Sequence, residues 1–198
     1  MVNSNLNLKN FYTNIIKRND QFESFLKIKK TGGWSELLDK ICENIILTLD
    51  EDMNNDKEKV VKIDLLKKTL TANFESEFLE EAIEFADKCV ELYNDFKSKE
   101  KEKDENGKNK KANISQICGL ILPVSRIKKI LKENSSKNRI SVDAPIFLTA
   151  VIETYIIEIL HRALQRTLDE NRKSMKEDDI KKVVKDDENL DKLSAFLK

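Results

Sequence analysis

The stretch from Pro145 to Leu168 repeats apolar side chains at three- and four-residue steps for more than six helical turns. A helix of that kind, about 25 residues and ~37 Å long by its rise per residue, cannot be covered by short neighbours alone. It demands a second long helix crossing it. One is present in the same chain: Trp34 to Leu49 carries apolar residues at 34, 37, 38, 41, 42, 45, 46 and 49, all on one helical face. Two such rods predict an all-α fold in which two similar units can pair within one polypeptide, the alternative being exchange of halves with a second copy of the chain.

Each rod has short companions. The first is preceded by a small helix near Phe11–Ile16. After a polar turn and loop over 50–59 it is followed by a short helix carrying Val61, Ile63, Leu65, Leu66 and Leu70. The second is preceded by Pro123–Leu131, with Val124, Ile127, Ile130 and Leu131 on one side and Arg126, Lys128, Lys129 and Lys132 around the other. Asp143 is the expected cap of the long helix, Pro145 suits its first turn, and Asn171 marks its end. Ser174-Met-Lys-Glu177 has capping-box spacing, and Ile180, Val183 and Val184 form the apolar face of the helix after it. Short helix, loop, long helix, loop, short helix therefore occurs twice, with an extra apolar-faced helix over about 74–96 added to the first unit.

Between the units, residues 97–113 contain no aromatic or branched apolar side chain and cannot bury enough to offset their ordering entropy. The expected organisation is a first unit over 1–96, a charged flexible linker over 97–113 and a second unit over 114–198. The formal net charge of zero conceals a split: 13 Lys/Arg against 19 Asp/Glu in 1–96, 7 against 4 in 97–113, and 16 against 13 in 114–198. An anionic polymer could be held only where positive charge is gathered locally.

Several function classes lack their residues. No apolar run approaches eighteen, so no membrane partner is expected, and the opening residues carry no basic-then-apolar leader. Cys42, Cys89 and Cys118 lie singly in helical patterns and read as buried or partly buried thiols; His161 completes no metal spacing and reads as a surface residue. Trp34 and the nine phenylalanines fall at helical intervals expected of a core. With no nucleophile–base pair, phosphate-cradling glycine loop or ligand cluster, neither an enzyme nor a cofactor or metal is expected.

Three separated motifs carry a resemblance. Cys118-Gly-Leu-Ile-Leu-Pro-Val-Ser-Arg126, the run Asn138 to Leu160, and Asp186-Asp-Glu-Asn-Leu-Asp-Lys-Leu193 look like the eukaryotic core histone two-A, over about Cys118–Leu193. Pro123–Leu131 also resembles the gamma subunit of the CCAAT-binding transcription factor, but the Asp-Glu-Asn-Leu tail favours the histone. In the first half, Ala82-Ile-Glu-Phe-Ala-Asp-Lys-Cys-Val-Glu-Leu-Tyr93 resembles the C-terminal helix of histone two-B, and the likeness extends over 11–96. In this order the halves resemble the fused two-B/two-A doublets of giant DNA viruses. A tether of that kind makes pairing intramolecular at high effective concentration.

The resemblance implies two histone folds in an intramolecular handshake that packages double-stranded DNA with a histone three/four-like partner, in a host nucleus, viral factory or virion. Core histones set helix starts and paired loops against phosphates without reading bases. By position, the DNA-binding residues would be Arg126, Lys129, Lys132, Arg139, Arg172 and Lys173 in the second half, and Lys27, Lys29, Lys30, Lys57 and Lys59 in the first. Glu58 stands where the family has arginine, so that loop departs from the pattern. An acidic patch for basic nucleosome-binding factors would comprise Glu77, Glu153, Glu158, Asp187 and Glu188. The alternative is a histone-fold interaction or regulatory module with weak DNA binding.

Overall fold

A computed structural model describes residues 6–103, 113–135, 137, 139–187, 190, 193, 194 and 197. The first unit comprises α1 (Lys9–Arg18), a 3-10 helix (Asp20–Phe25), β1 (Lys29–Lys30), α2 (Trp34–Asn55), β2 (Val60–Val61) and α3 (Ile63–Phe74), followed by α4 (Glu77–Lys103). The second comprises α5 (Ile114–Ile117), α6 (Val124–Asn134), β3 (Arg139–Ile140), α7 (Ala144–Asp169), β4 (Ser174–Met175) and α8 (Glu177–Asp186). The fold is all-α with two tandem histone-fold units, as expected.

The units interlock through their loops. β1 pairs in parallel with β4, Lys29 opposite Ser174 and Lys30 opposite Met175. β2 pairs in parallel with β3, Val60 opposite Arg139 and Val61 opposite Ile140. Each two-residue bridge joins the first loop of one unit to the second loop of the other. The two long helices are thereby held head to tail. Across this arrangement α6 and α8 pack on α2, while α3 and α4 pack on α7.

One apolar core runs through both units, with Leu38, Ile41 and Leu49 from α2, Ile152, Ile156 and Leu160 from α7, and Leu66, Ile127 and Ile180 from the short helices. Full burial of each such side chain contributes ~1.5–3 kcal/mol, so this shared interior is what holds the halves together. Among the described residues α7 alone is long and apolar enough to cross a membrane, yet 78% of its most apolar stretch is buried in the protein. Its apolarity serves the core. Thr149 and Thr167 are admitted there because each hydroxyl donates to the carbonyl four residues earlier, Pro145 at 2.6 Å and Ala163 at 2.8 Å.

Several local expectations are revised. Asp143 makes no side-chain cap on α7; the Ser141 hydroxyl oxygen accepts the Ala144 N–H instead, at 3.2 Å. Ser174 and Met175 form β4 rather than a capping box, and the helix begins later, with the Asp179 carboxylate accepting the Lys176 N–H at 2.8 Å. Asn171 does end α7, in the left-handed region at φ 53°, where an Asn side chain is tolerated. α4 continues to Lys103, beyond the boundary expected at 96, since the Lys and Glu residues there are good helix formers. The rest of the expected linker, 104–112, lies outside the described residues.

Candidate nucleic-acid interface

Loop geometry decides which cations meet. Gly32, at φ 76°, takes the left-handed turn that carries β1 into α2. The β1/β4 register then brings Lys29 and Lys30 of the first unit beside Lys173 of the second, whose carbonyl accepts the Lys29 N–H at 3.0 Å. Lys27 is exposed just before β1. Among the described residues, no carboxylate lies within ion-pair distance of any of these four lysines. Lys30 is half-buried; burial, and then the charge of Lys17 at the end of α1, hold its ammonium below its usual pKa. Lys17 escaped the sequence reading, although a basic last turn in α1 was visible there.

At the opposite end, β2/β3 brings Lys57, Lys59 and Arg139 together, all exposed. Among the described residues none of these three is in an ion pair, whereas neighbouring lysines are. Lys62 pairs with Glu58 at 3.4 Å and Lys68 with Asp56 at 2.7 Å, while Lys137 donates to the Asp56 carbonyl at 2.7 Å. On α6, Arg126 stays exposed but one of its nitrogens donates to the Leu6 and Asn7 carbonyls, each at 2.7 Å, and its guanidinium lies 5.3 Å from the Phe11 ring centroid. Lys129 pairs with Glu133 at 3.7 Å, and Lys132 is exposed.

Arg172 belongs to the loop rather than to the free cations. It donates to both carboxylate oxygens of Asp179 (2.6 and 2.9 Å), to Glu170 at 2.7 Å and to the Ser174 carbonyl at 3.2 Å. The bidentate pair fixes the turn between α7 and α8 and leaves Lys173 as the outward charge of that loop.

The expected acidic patch is rearranged. Glu153 is not a surface residue: it is 3% exposed, and its carboxylate accepts the Ile121 and Leu122 N–H groups at 2.9 and 2.6 Å. Burial pushes its carboxyl up to about 7, against these two hydrogen bonds. Its position on α7 faces the connection between α5 and α6, whose buried amides require an acceptor. Glu158 and Asp187 do come together, bridged by Arg162. Glu77 is exposed in the first turn of α4, and Glu188 lies outside the described residues. His161, expected at the surface, packs edge-on against Phe22 and Phe25, with centroids 5.9 and 5.5 Å away.

Residues 120–184 match the family model described as histone-like transcription factor (CBF/NF-Y) and archaeal histone. The first form of histone two-A from Tetrahymena pyriformis is 33% identical over 95 residues, which cover 48% of this chain and 71% of that histone. The chain belongs to the histone two-A family. The X variant of histone two-A from the same organism is also 33% identical over 95 residues, 69% of its length, and the second form from Candida albicans is 31% identical over 93 residues, 71% of its length. In this histone the matched half supplies α6, β3, α7, β4 and most of α8, and the unit before it completes the core. No group of three or more His, Cys, Asp or Glu among the described residues could hold a metal ion.

Proposed function

We propose that this histone is a non-enzymatic DNA-packaging protein, a fused pair in which a two-B-like first half and the two-A-type second half hold the phosphate backbone of duplex DNA without base specificity. One observation carries the reading. The β1/β4 bridge gathers lysines from both halves on one rim with no carboxylate paired to them among the described residues. Such a rim suits a line of phosphates, and affinity would come from release of condensed counterions.

The particle we infer also needs a histone three/four-like partner, and the product would be a nucleosome-like complex. The test mixes the full chain with that partner and duplex DNA at increasing salt and measures the length protected from nuclease. A discrete protected length at low salt, lost with a steep salt slope, is expected; absence of any discrete length refutes the nucleosome role. A second reading, an interaction module with weak DNA affinity, draws on the Glu58–Lys62 and Asp56–Lys68 pairs at the other rim. It would be favoured by binding to the partner without DNA protection.

A further inference from the structure

α4 buries only part of its apolar surface. Leu79, Ala82, Ala86 and Cys89 are enclosed, Phe78 packs edge-on against Tyr155 of α7 with ring centroids 5.0 Å apart, and Lys67 of α3 pairs with Asp87 at 2.7 Å. Those contacts fix which way the helix is turned. Phe85 and Leu92, two turns apart, are left 40% and 53% exposed, and half-buried Phe96 follows Leu92 by one turn on the same side. The other large apolar side chains exposed among the described residues, Leu26, Leu47, Val142 and Leu168, come from four different segments. A lone exposed leucine needs no explanation, but three apolar residues in line over ~16 Å of one helix form a face that a partner can cover. The exposed flank of that line is acidic. From Glu81 to Asp95 it carries Glu81, Glu84, Glu91 and Asp95 against Lys88, which pairs with Glu84 at 2.7 Å. Glu81, Glu91 and Asp95 have no ion pair among the described residues.

We propose that this face of α4 is a docking site for a basic amphipathic helix of another protein. Its apolar residues, spaced by three and four, would lie along Phe85, Leu92 and Phe96, while its lysines or arginines meet Glu81, Glu91 and Asp95. Charge complementarity selects this occupant over a second copy of the chain. Two copies of the face brought together about a two-fold axis would set the same carboxylates against each other, whereas a cationic partner relieves the repulsion already present along the flank. Affinity would come from covering the apolar line, and the choice of partner from the flank. The site uses none of the residues bridged by Arg162, and it stands whether or not the chain binds DNA.

The experiment titrates the full chain into a labelled synthetic peptide of about 18 residues, with leucines at helical spacing and lysines beside them, and follows fluorescence anisotropy. Two control peptides, one of the same composition in scrambled order and one with glutamates in place of the lysines, should each bind about tenfold more weakly or worse. Phe85→Ser/Leu92→Ser should lose on the order of tenfold in affinity for the first peptide, and Glu81→Lys/Glu91→Lys about fivefold. Phe85→Leu, which keeps the face apolar, should bind like the unsubstituted chain, and the urea midpoints should be unchanged because all four positions are exposed. Equal binding of the scrambled or the glutamate peptide, no loss from Phe85→Ser/Leu92→Ser, or no binding up to about 1 mM would overturn the proposal. So would self-association in sedimentation that Phe85→Ser/Leu92→Ser abolishes, which would make a second copy the occupant.

Discussion

Glu153 links stability to pH in a direction opposite to that of a salt-bridged carboxylate. Its ordinary value is 4.5 and burial in the fold raises it to about 7. Between those values the folded protein retains a proton that the unfolded chain has released. Folding is favoured by this group most fully below pH 4.5, and that contribution is lost as pH rises through about 7. A shift of that size corresponds to about 3 kcal/mol, at ~1.4 kcal/mol per unit. Glu153→Gln keeps a carbonyl that can accept from Leu122 N–H but cannot ionise, so it abolishes the titration. Urea unfolding of both proteins from about pH 4.5 to about pH 7.5 isolates the effect, because other groups cancel in the difference. The unsubstituted protein should lose about 3 kcal/mol relative to the variant across that range. A difference that stays flat, or that moves in favour of the unsubstituted protein as pH rises, would refute the account of Glu153 as a buried, desolvated acceptor.

Arg172→Ala should cost about 3–5 kcal/mol in urea unfolding, because it leaves Asp179, whose side chain is 4% exposed, without its bidentate partner; a loss below about 1 kcal/mol would assign Arg172 to the solvated surface instead. Arg162→Ala removes the cation that bridges Glu158 and Asp187, and should strengthen binding of an arginine-bearing basic peptide, read by fluorescence anisotropy; unchanged binding would mean that Arg162 does not occupy that acidic site. Burial pushes the thiols of Cys42 and Cys89 up to about 12 and that of Cys118 to about 11, so none should react with a thiol reagent at neutral pH until urea is added. Prompt labelling of the native protein would contradict their enclosure in the core.

Helical periodicity alone made both long rods legible, and with them the short companions and the all-α class, because burial of a 3.6-residue stripe leaves its mark on every turn. The 3-10 helix did not show. Phe22 and Phe25 are its only buried residues, and two apolar positions three apart cannot establish a period. The cap of α8 was displaced from Ser174 to Lys176 because β4 uses Ser174 and Met175 for a pairing that no local spacing encodes. Among site residues, Lys27, Lys29, Lys30 and Lys173 are exposed or half-buried where the loops meet. Lys17 was overlooked because its neighbour Lys30 lies thirteen positions away along the chain, across a turn.

The sequence by itself determined which residues are apolar at helical spacing, and that two long apolar faces needed partners. Only the tertiary structure decided which charges remain available. Cross-pairing of β1 with β4 and of β2 with β3 juxtaposes loops more than seventy residues apart, and the side chains of those loops then compete for one another's charges. Arg172 and Glu153, both expected at the surface, are held by partners within the second unit: one satisfies a nearly buried aspartate, the other the amides of Ile121 and Leu122. Charge is local in sequence, but compensation is a property of space, since attraction and desolvation depend on distance and burial rather than on position along the chain.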